Sequence, residues 1–346
     1  MRRLFILIIL IAGCVMSCRN FDRDFPDFIR TTGYFPYQFP IRTIILGNYI
    51  YDNSNDNAHK FVISAGMGGV YENKEDRIVD FVLDESLCED AFFPNMDTIR
   101  VLPSNYYRLS DPGKIVIPKG KENGGVEIQL TEAFFNDSAA ILNTYVLPLR
   151  LTGTTGLDSL LQGSPSKPNA DRRIVTDWIS APKDFTMFAV KFVNPYHGSY
   201  LHYGKSEVKN ATGAKMEERT YSEQYVERNE VWDLTTVSRY GVSLRGTFKS
   251  SLLTGSFPLR LNFTSDAYLT QGGVDCSVIP AAGSSYTITG TGKYTINTQE
   301  YGGKKRDAIY LAYTISNGNY TYTATDTLVF RDKGIVLETY IPVIKH

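Results

Sequence analysis

The chain has 346 residues, of which 42% are hydrophobic and 21% are charged, and its formal net charge at pH 7 is −1. This composition is typical of a globular protein and excludes an intrinsically disordered chain. The absence of a basic surplus argues against a nucleic-acid partner.

The first 17 residues are predicted to form a lipoprotein signal peptide. A basic pair, Arg2 and Arg3, precedes the apolar run 4–11, which is too short to cross a bilayer as a helix. We expect Cys18 to be acylated, with Cys14 as the alternative, while a plain secretory signal is a further reading. Two or three acyl chains would anchor the protein permanently to a membrane. Residues 18–40 would form a tether.

Residues 41–153 are predicted to form an immunoglobulin-like β-sandwich. Apolar residues alternate with polar ones at Val126, Ile128 and Leu130, and this period of two is typical of half-buried antiparallel strands. About seven short strands within this length favour a sandwich. The predicted strands are "IRTIILGN", "KFVISAGM", "RIVDFVLD", "YYRLS", "KIVIPKG", "GVEIQLTEAFF" and "NTYVLPLRLTG".

Residues 154–182 are rich in Gly, Pro, Ser and Asn and are predicted to be a linker. Residues 183–346 are predicted to form a lipocalin-like up-and-down β-barrel, with a second sandwich as the alternative. Glycines within a strand, Gly290 and Gly292, permit the sharp bending of a small barrel. The pair Asn317-Gly318 predicts a type I′ hairpin turn, and "KGIVLETYIP" predicts the last strand.

The cysteines and histidines do not indicate a catalytic or metal-binding site. Cys88 and Cys276 lie far apart in the sequence and are expected to be buried free thiols. His197 and His202 are five residues apart, so on one regular strand they face opposite sides and do not share a metal ion. We therefore expect no metal ion and no cofactor.

Motifs of known catalytic sites are also missing. The sequence contains no G-x-S-x-G motif, and no spacing of carboxylates singles out an acid/base pair. The segment "DNSNDNAH" at 52–59 is similar to a calcium loop, but it lacks the glycine and the closing glutamate of such loops, so a solvated hairpin loop is the preferred interpretation. We expect a protein that is not an enzyme.

Four residues are candidates for contacts with sugars. Aromatic rings pack against the C–H faces of sugars, and charged groups bind their hydroxyls. Trp178 and Trp232 are the aromatic candidates, and each of them also suits the edge of a core. Tyr301 and Arg306 flank a Gly-Gly turn, where a solvated hairpin tip is the simpler interpretation.

Two resemblances cover nearly the whole mature chain. The segments 181–205, "APKDFTMFAVKFVNPYHGSYLHYGK", and 301–313, "YGGKKRDAIYLAY", resemble the lipocalin-like C-terminal domain of a Bacteroidetes lipoprotein family, whose function is unassigned. The segments 106–120, "YYRLSDPGKIVIPKG", and 145–153, "YVLPLRLTG", resemble the N-terminal domain of unknown function of certain secreted endo-β-N-acetylglucosaminidases and surface lipoproteins.

The resemblance implies a lipid-anchored, surface-exposed outer-membrane protein of a polysaccharide-utilisation system that binds glycan without cleaving it. Its expected partners are a polysaccharide or oligosaccharide, the membrane through the N-terminal lipid, and other surface proteins of glycan utilisation. Two alternatives stay open: a lipocalin-like carrier of a small apolar ligand inside the barrel, and a structural or adhesion module that binds a protein.

Overall fold

The computed structural model describes residue 28 and residues 30–266 and 272–345. The signal peptide, Cys14, Cys18 and most of the predicted tether lie outside these residues. The protein is all-β, as predicted, with 54% strand and 8% helix. Within the described part of the chain, no helix is long and apolar enough to cross a membrane.

The first domain is a two-layer sandwich, and all seven strands predicted for it are present. It also contains two short α-helices, α1 (Ser54–Asn57) and α2 (Glu132–Asn136). The strands in chain order are β1 (Thr32–Tyr34), β2 (Pro40–Ile45), β3 (Lys60–Gly68), β4 (Arg77–Leu83), β5 (Ala91–Phe92), β6 (Arg100–Val101), β7 (Tyr107–Leu109), β8 (Lys114–Ile117), β9 (Asn123–Leu130), β10 (Tyr145–Thr155), β11 (Ser159–Leu160), β12 (Ser164–Pro165), β13 (Trp178–Ser180) and β14 (Phe185–Val193).

The sandwich core lies between two sheets. One sheet has the order β11-β1-β3-β9-β7, and in the other β2, β14, β10, β4 and β8 are neighbours in that order. The alternation predicted for β9 is present, since Val126, Ile128 and Leu130 are all buried in the core between the sheets. Burial of such alternating apolar side chains is the main stabilising contribution in a sandwich.

The second domain is a closed barrel of eight antiparallel strands with up-and-down connections, as predicted. The chain runs through it in the order β15, β17 to β23, and β23 pairs back onto β15, while β16 extends the edge of β15. Its strands are β15 (Gly198–Asn210), β16 (Lys215–Tyr221), β17 (Glu230–Ser238), β18 (Gly241–Thr247), β19 (Ser256–Phe263), β20 (Val274–Pro280), β21 (Thr287–Tyr301), β22 (Lys304–Ser316) and β23 (Tyr320–Asp332).

Both ends of the segment predicted as the second domain pair with the first domain. β14 lies between β2 and β10 in the sandwich sheet. After the barrel, β24 (Glu338–Thr339) pairs with β2 and β25 (Val343–Ile344) pairs with β5. The buried ring of Tyr340 joins a separate apolar cluster on the outer face of this sheet, which explains why the tail returns there.

The predicted linker, 154–182, is folded against the sandwich. β11 pairs with β1, and β12 pairs with β13. Arg172 binds the buried Asp184 at 3.2 Å, and Arg173 donates to the carbonyl oxygen of Leu87 at 3.1 Å. These contacts fix the segment because a guanidinium satisfies several acceptors at once.

Glycines shape the barrel wall as expected. A Cβ atom on Gly292 would lie 2.5 Å from the Leu311 side chain, and one on Gly290 would lie 2.5 Å from the carbonyl oxygen of Ala312. The predicted turn type at Asn317-Gly318 is wrong. Only Gly318 has a positive φ, of 89°, whereas type I′ needs two. Instead the Asn317 side chain accepts hydrogen bonds from the backbone amides of Asn319 and Tyr320.

The barrel interior is filled by side chains. Tyr196, Tyr200, Tyr322 and Phe257 are among the largest fully buried residues of the described chain. Phe248 from the β18–β19 loop packs on the same core. Eight strands leave an interior that side chains can fill completely. The packing therefore offers no observation in favour of the small-ligand carrier.

Both described cysteines are buried free thiols, as predicted. Cys88 belongs to the cluster on the outer face of the sandwich sheet, and Cys276 belongs to the barrel core. Burial raises the pKa of each thiol to about 12. Neither thiol is therefore an activated nucleophile near neutral pH.

Candidate functional site

A cleft lies where the end of the barrel meets the sandwich, and we call it the junction cleft. Its volume is about 440 Å³, which falls in the range of small-molecule sites, and such sites favour domain interfaces. Three separate parts of the chain line it. They are Asn48, Tyr49 and Ile50 after β2; Asn297, Lys305, Arg306 and Asp307 of the β21–β22 hairpin; and Phe330, Asp332, Lys333, Gly334, Ile335 and Val336.

Asp307 is the buried acid of the junction cleft. Its carboxylate accepts the hydroxyl of Tyr294 at 2.6 Å and the backbone amide of Asn297 at 3.0 Å. Asn48 of the sandwich donates to the same carboxylate from 3.5 Å. A positive φ of 57° at Asn297 accompanies the bulge that turns its amide towards Asp307. The carboxylate is thus held in one position across the domain boundary.

Arg306 and Tyr301 are brought together as a pair. The Arg306 guanidinium lies over the Tyr301 ring, 4.4 Å from its centroid, which is a cation–π geometry. Its Nε atom is shielded from solvent and has no hydrogen-bond partner in the described chain. Two of the four predicted sugar-contact residues therefore meet beside one cleft.

Lys333 supplies a buried amine to the same cleft. Its ammonium donates to the carbonyl oxygen of Pro195 at 2.9 Å and lies 3.4 Å from that of His197. Burial lowers the pKa of Lys333 to about 7, although Asp307 and Asp266 act in the opposite direction.

Aromatic and apolar side chains form the remaining walls of the junction cleft. Tyr49 bridges the domains, because its hydroxyl donates to the carbonyl oxygen of Ile335 at 3.4 Å. The ring of Phe330 lies 5.7 Å from the Lys333 ammonium. Ile50 and Val336 are each 70% exposed at the rim.

The two tryptophans do not join this site. Trp232 is only 3% exposed and packs inside the barrel, so it offers no face to an external sugar. This corrects the expectation that it is a surface contact, and the physical reason is its inward position on β17. Trp178 lies on β13, where its indole nitrogen donates to the carbonyl oxygen of Asp171 at 2.7 Å, and it does not line the cleft.

Other lining residues were missed from the sequence. Asn48 is the last residue of a predicted strand, Tyr49 follows that strand, and Lys333 follows β23. A polar residue where an apolar strand ends is a weak signal, since most such residues are solvated. These residues line one cleft only because the two domains pack against each other there.

His202 lies inside the barrel and not at a metal site. Its Nδ1 is 3.1 Å from Glu230, and its Nε2 is 3.2 Å from Asp326 but outside hydrogen-bond geometry. The ring stacks on Trp232 at 3.6 Å. Burial opposes protonation, but the charges of Asp326 and Glu230 and the hydrogen bond with Glu230 outweigh it and raise the pKa of His202.

The opposite shift occurs on Glu230. Burial favours its neutral form, but hydrogen bonds from His202, Lys249 and Thr247 lower its pKa to about 2. The Lys249 ammonium is 2.7 Å from this carboxylate. His202 therefore contacts a carboxylate on each side, and these contacts hold β15, β17 and β23 together.

His202 should stabilise the barrel in a pH-dependent way. Its pKa is raised above the ordinary 6.5, so the stabilisation is complete below that value and is lost as the pH rises through the raised pKa. We expect the stability difference between the wild type and His202→Gln to be larger at about pH 5.5 than at about pH 9.

Urea unfolding at the two pH values measures this difference. Subtracting the variant from the wild type removes the contributions of the other groups, among them Lys333 and His197. A difference that stays constant or grows towards high pH would contradict the assignment.

His197 precedes β15 and has a different role. Its Nδ1 accepts the backbone amide of Thr236 at 3.1 Å. Burial, with the charges of Lys333 and Lys191, lowers the pKa of His197 to about 4. It is therefore neutral at physiological pH and helps to fix the start of the barrel.

The segment 52–59 is not the solvated loop that we expected. Ser54–Asn57 forms α1, and Asp56 is 1% exposed. The Asp56 carboxylate accepts the backbone amide of Ile45 at 2.9 Å and pairs with Arg42. These partners use the oxygens that a cation would need. Across the described residues, no group of three or more Asp, Glu, His or Cys side chains is placed to hold a metal ion.

A second depression, of about 950 Å³, lies on the outer face of the barrel. Small outward side chains such as Thr291, Ala312 and Thr325 form its floor. At its edge, Gln299 joins the hydroxyls of Tyr203 and Tyr310, at 3.1 and 2.9 Å. Its charged lining residues are Lys205, Asp275, Lys293 and Asp326, and the Asp326 carboxylate already accepts hydrogen bonds from Tyr221 and Tyr313.

The fold and the cleft define a two-domain, all-β protein with a ligand-sized site between its domains. The comparison with known structures then gives its family. A Bacteroides ovatus protein of unknown function is 36% identical in sequence, with a TM-score of 0.83 over 92% of this chain and 100% of that one. The chain belongs to the same family as this Bacteroides ovatus protein.

Family models match both domains. A domain of unknown function, DUF5627, matches residues 195–334, which is the barrel with its flanking residues. A second model, of an N-terminal domain, matches residues 29–158, within the sandwich. The matched ranges therefore agree with a barrel that begins after β14 and ends before β24.

Two further structures are more distant. One is a multidomain protein including DUF1735 from Bacteroides ovatus, 12% identical with a TM-score of 0.39 over 88% of this chain and 96% of that one. The other is an auxiliary nutrient binding protein from Bacteroides thetaiotaomicron, 12% identical with a TM-score of 0.36 over 84% and 90%. These alignments are too weak to carry an argument. No curated protein is significantly similar to the chain.

Proposed function

We propose that the protein is a lipid-anchored, surface-exposed outer-membrane protein that binds glycans at the junction cleft and does not cleave them. The observation that carries the binding role is Arg306, a cleft-lining guanidinium whose shielded Nε has no partner in the described chain. A buried donor without an acceptor costs about 1–3 kcal/mol. A ligand oxygen that satisfies the guanidinium would offset this cost.

The other walls of the junction cleft suit a sugar. Sugar rings have C–H faces that pack on aromatic rings, and hydroxyls that need donors and acceptors at fixed positions. Tyr49 and Phe330 supply the rings, and Asp307 supplies a positioned acceptor. Single-site affinity should be weak, with a dissociation constant between about 1 mM and 1 μM. Many anchored copies on one polymer would compensate through avidity.

Arg306→Ala should weaken glycan binding about tenfold or more, because a hydrogen bond to a charged group contributes about 1.5–3 kcal/mol. Calorimetry on residues 19–346 with a panel of polysaccharides measures the binding, and circular dichroism checks the fold. Lys304→Ala is the matched control, since Lys304 is exposed on the same hairpin and does not line the cleft.

Each part of the proposal has its own contrary result. No heat with any glycan would exclude the binding role. Equal losses for Arg306→Ala and Lys304→Ala would place the site elsewhere on the protein. Release of reducing sugar during the titration would show that the protein is an enzyme.

Membrane anchoring is tested separately at the N-terminus. Cys18→Ala should move the protein from the membrane fraction to the soluble fraction, because the acylated cysteine is the proposed anchor. Fractionation of cells that express the full chain measures this change, and Cys14→Ala is the control. If only Cys14→Ala releases the protein, Cys14 is the acylated residue.

A further inference from the structure

The charged residues of the junction cleft are unequally satisfied. Its two acids already have partners: Asp307 accepts from Tyr294 and Asn297, and Asp332 lies 3.7 Å from Arg331. Of its cations, Lys305 is exposed to solvent, whereas the shielded Nε of Arg306 has no hydrogen-bond partner in the described chain. The cleft therefore favours a negatively charged ligand.

The Arg306 guanidinium is also positioned to bind a planar anion. Its position over the Tyr301 ring limits the rotamers that it can adopt. A guanidinium presents parallel N–H donors that match the two oxygens of a carboxylate, and such charge-assisted pairs are about twice as strong as neutral hydrogen bonds. A sugar hydroxyl offers one oxygen and no charge, so it satisfies the guanidinium less completely.

Lys333 strengthens this preference from the floor of the cleft. It is 3% exposed, and its ammonium donates to the neutral carbonyl oxygens of Pro195 and His197. A negative charge that enters the cleft would favour the protonated amine. Together the cleft walls carry three basic side chains and two acidic ones, whereas the whole chain is slightly acidic with a net charge of −1.

We propose that the junction cleft selects acidic sugars, with the carboxylate of a uronic acid residue bound by Arg306. This inference rests on the proposed function and narrows its ligand class. The aromatic walls receive the sugar ring, and the guanidinium receives the carboxylate in a bidentate arrangement. Lys305 and Lys333 add charge without fixing orientation, because an ammonium is a point charge.

The test compares each acidic glycan with its own neutral form. Oligosaccharides of galacturonate, glucuronate and mannuronate are titrated into residues 19–346 beside their carboxyl-reduced counterparts, which keep the ring and linkage and lose only the charge. We expect at least one acid to bind about tenfold more tightly than its reduced form. Arg306→Gln should abolish this preference, and Lys304→Gln should preserve it.

The outcomes separate this inference from the broader one. Equal binding of an acid and its reduced form, or binding of neutral glycans alone, overturns the acidic selectivity and leaves glycan binding in place. If neither form binds and no polysaccharide of the wider panel gives heat, both the acidic selectivity and the glycan-binding role are overturned. Retention of the acid preference in Arg306→Gln overturns the assignment of the carboxylate to Arg306.

Discussion

Replacing Asp326 by alanine is expected to lower the free energy of unfolding of the barrel by about 3–5 kcal/mol. The Asp326 side chain is fully buried, accepts the hydroxyl of Tyr313 at 2.7 Å and that of Tyr221, and lies 3.2 Å from His202. Its removal leaves a buried imidazolium and two hydroxyls with one partner fewer. The loss is large because no water replaces the carboxylate in the filled interior.

Urea unfolding followed by tryptophan fluorescence measures this effect, since Trp232 stacks on His202 and reports on the same cluster. Thr325→Ala is the control: it lies next to Asp326 on β23 but is exposed, and it should change stability by less than about 0.5 kcal/mol. A loss below about 1 kcal/mol for Asp326→Ala would mean that the cluster contributes little.

Tyr340→Ala should be comparably severe, with a loss of about 3–5 kcal/mol from the sandwich. Tyr340 is 5% exposed, packs against Phe93 and Phe39 with ring centroids 4.9 and 5.7 Å apart, and donates to the carbonyl oxygen of Met187 at 2.9 Å. The substitution removes the ring that holds the C-terminal tail on β14 and β2.

Two further variants serve as references for the stability loss of Tyr340→Ala. Tyr340→Phe keeps the ring and should lose about 1 kcal/mol, the usual contribution of one hydrogen bond. Ile341→Ala changes a side chain that is 74% exposed and should be nearly neutral. If Tyr340→Ala unfolds at the same urea concentration as Ile341→Ala, the tail is not part of the cooperative sandwich.

The strands were predictable because their alternation is local. β19 buries every second residue, as do β9 over 126–130 and β22 over 309–315, and the apolar side chains already show this period in the sequence. β10 departs from the pattern: Tyr145, Val146, Leu147, Pro148 and Leu149 are all buried. A second apolar cluster covers its outer face, and that cover comes from residues distant in sequence.

The domain boundaries and the site depend on long-range pairing. β14 is almost continuously apolar and buried, and only its register with β10 and β2 assigns it to the sandwich. Trp232 was a candidate for a sugar contact and also suited the edge of a core; its inward position on β17 excludes the sugar contact. The junction cleft combines segments near 48, 306 and 333, so the spacing of residues within any one segment does not predict it.

The return of the tail makes the barrel a cassette within the sandwich. β14 leads into the barrel and β24 follows it, and these two strands flank β2 on opposite sides. The attachment points, Val193 and Glu338, are about two strand spacings, or roughly 10 Å, apart across the sheet, and they are offset by four residues, or roughly 13 Å, along β2. A short loop would bridge them, so evolution or an engineer can remove or exchange the barrel and leave the host sheet uninterrupted.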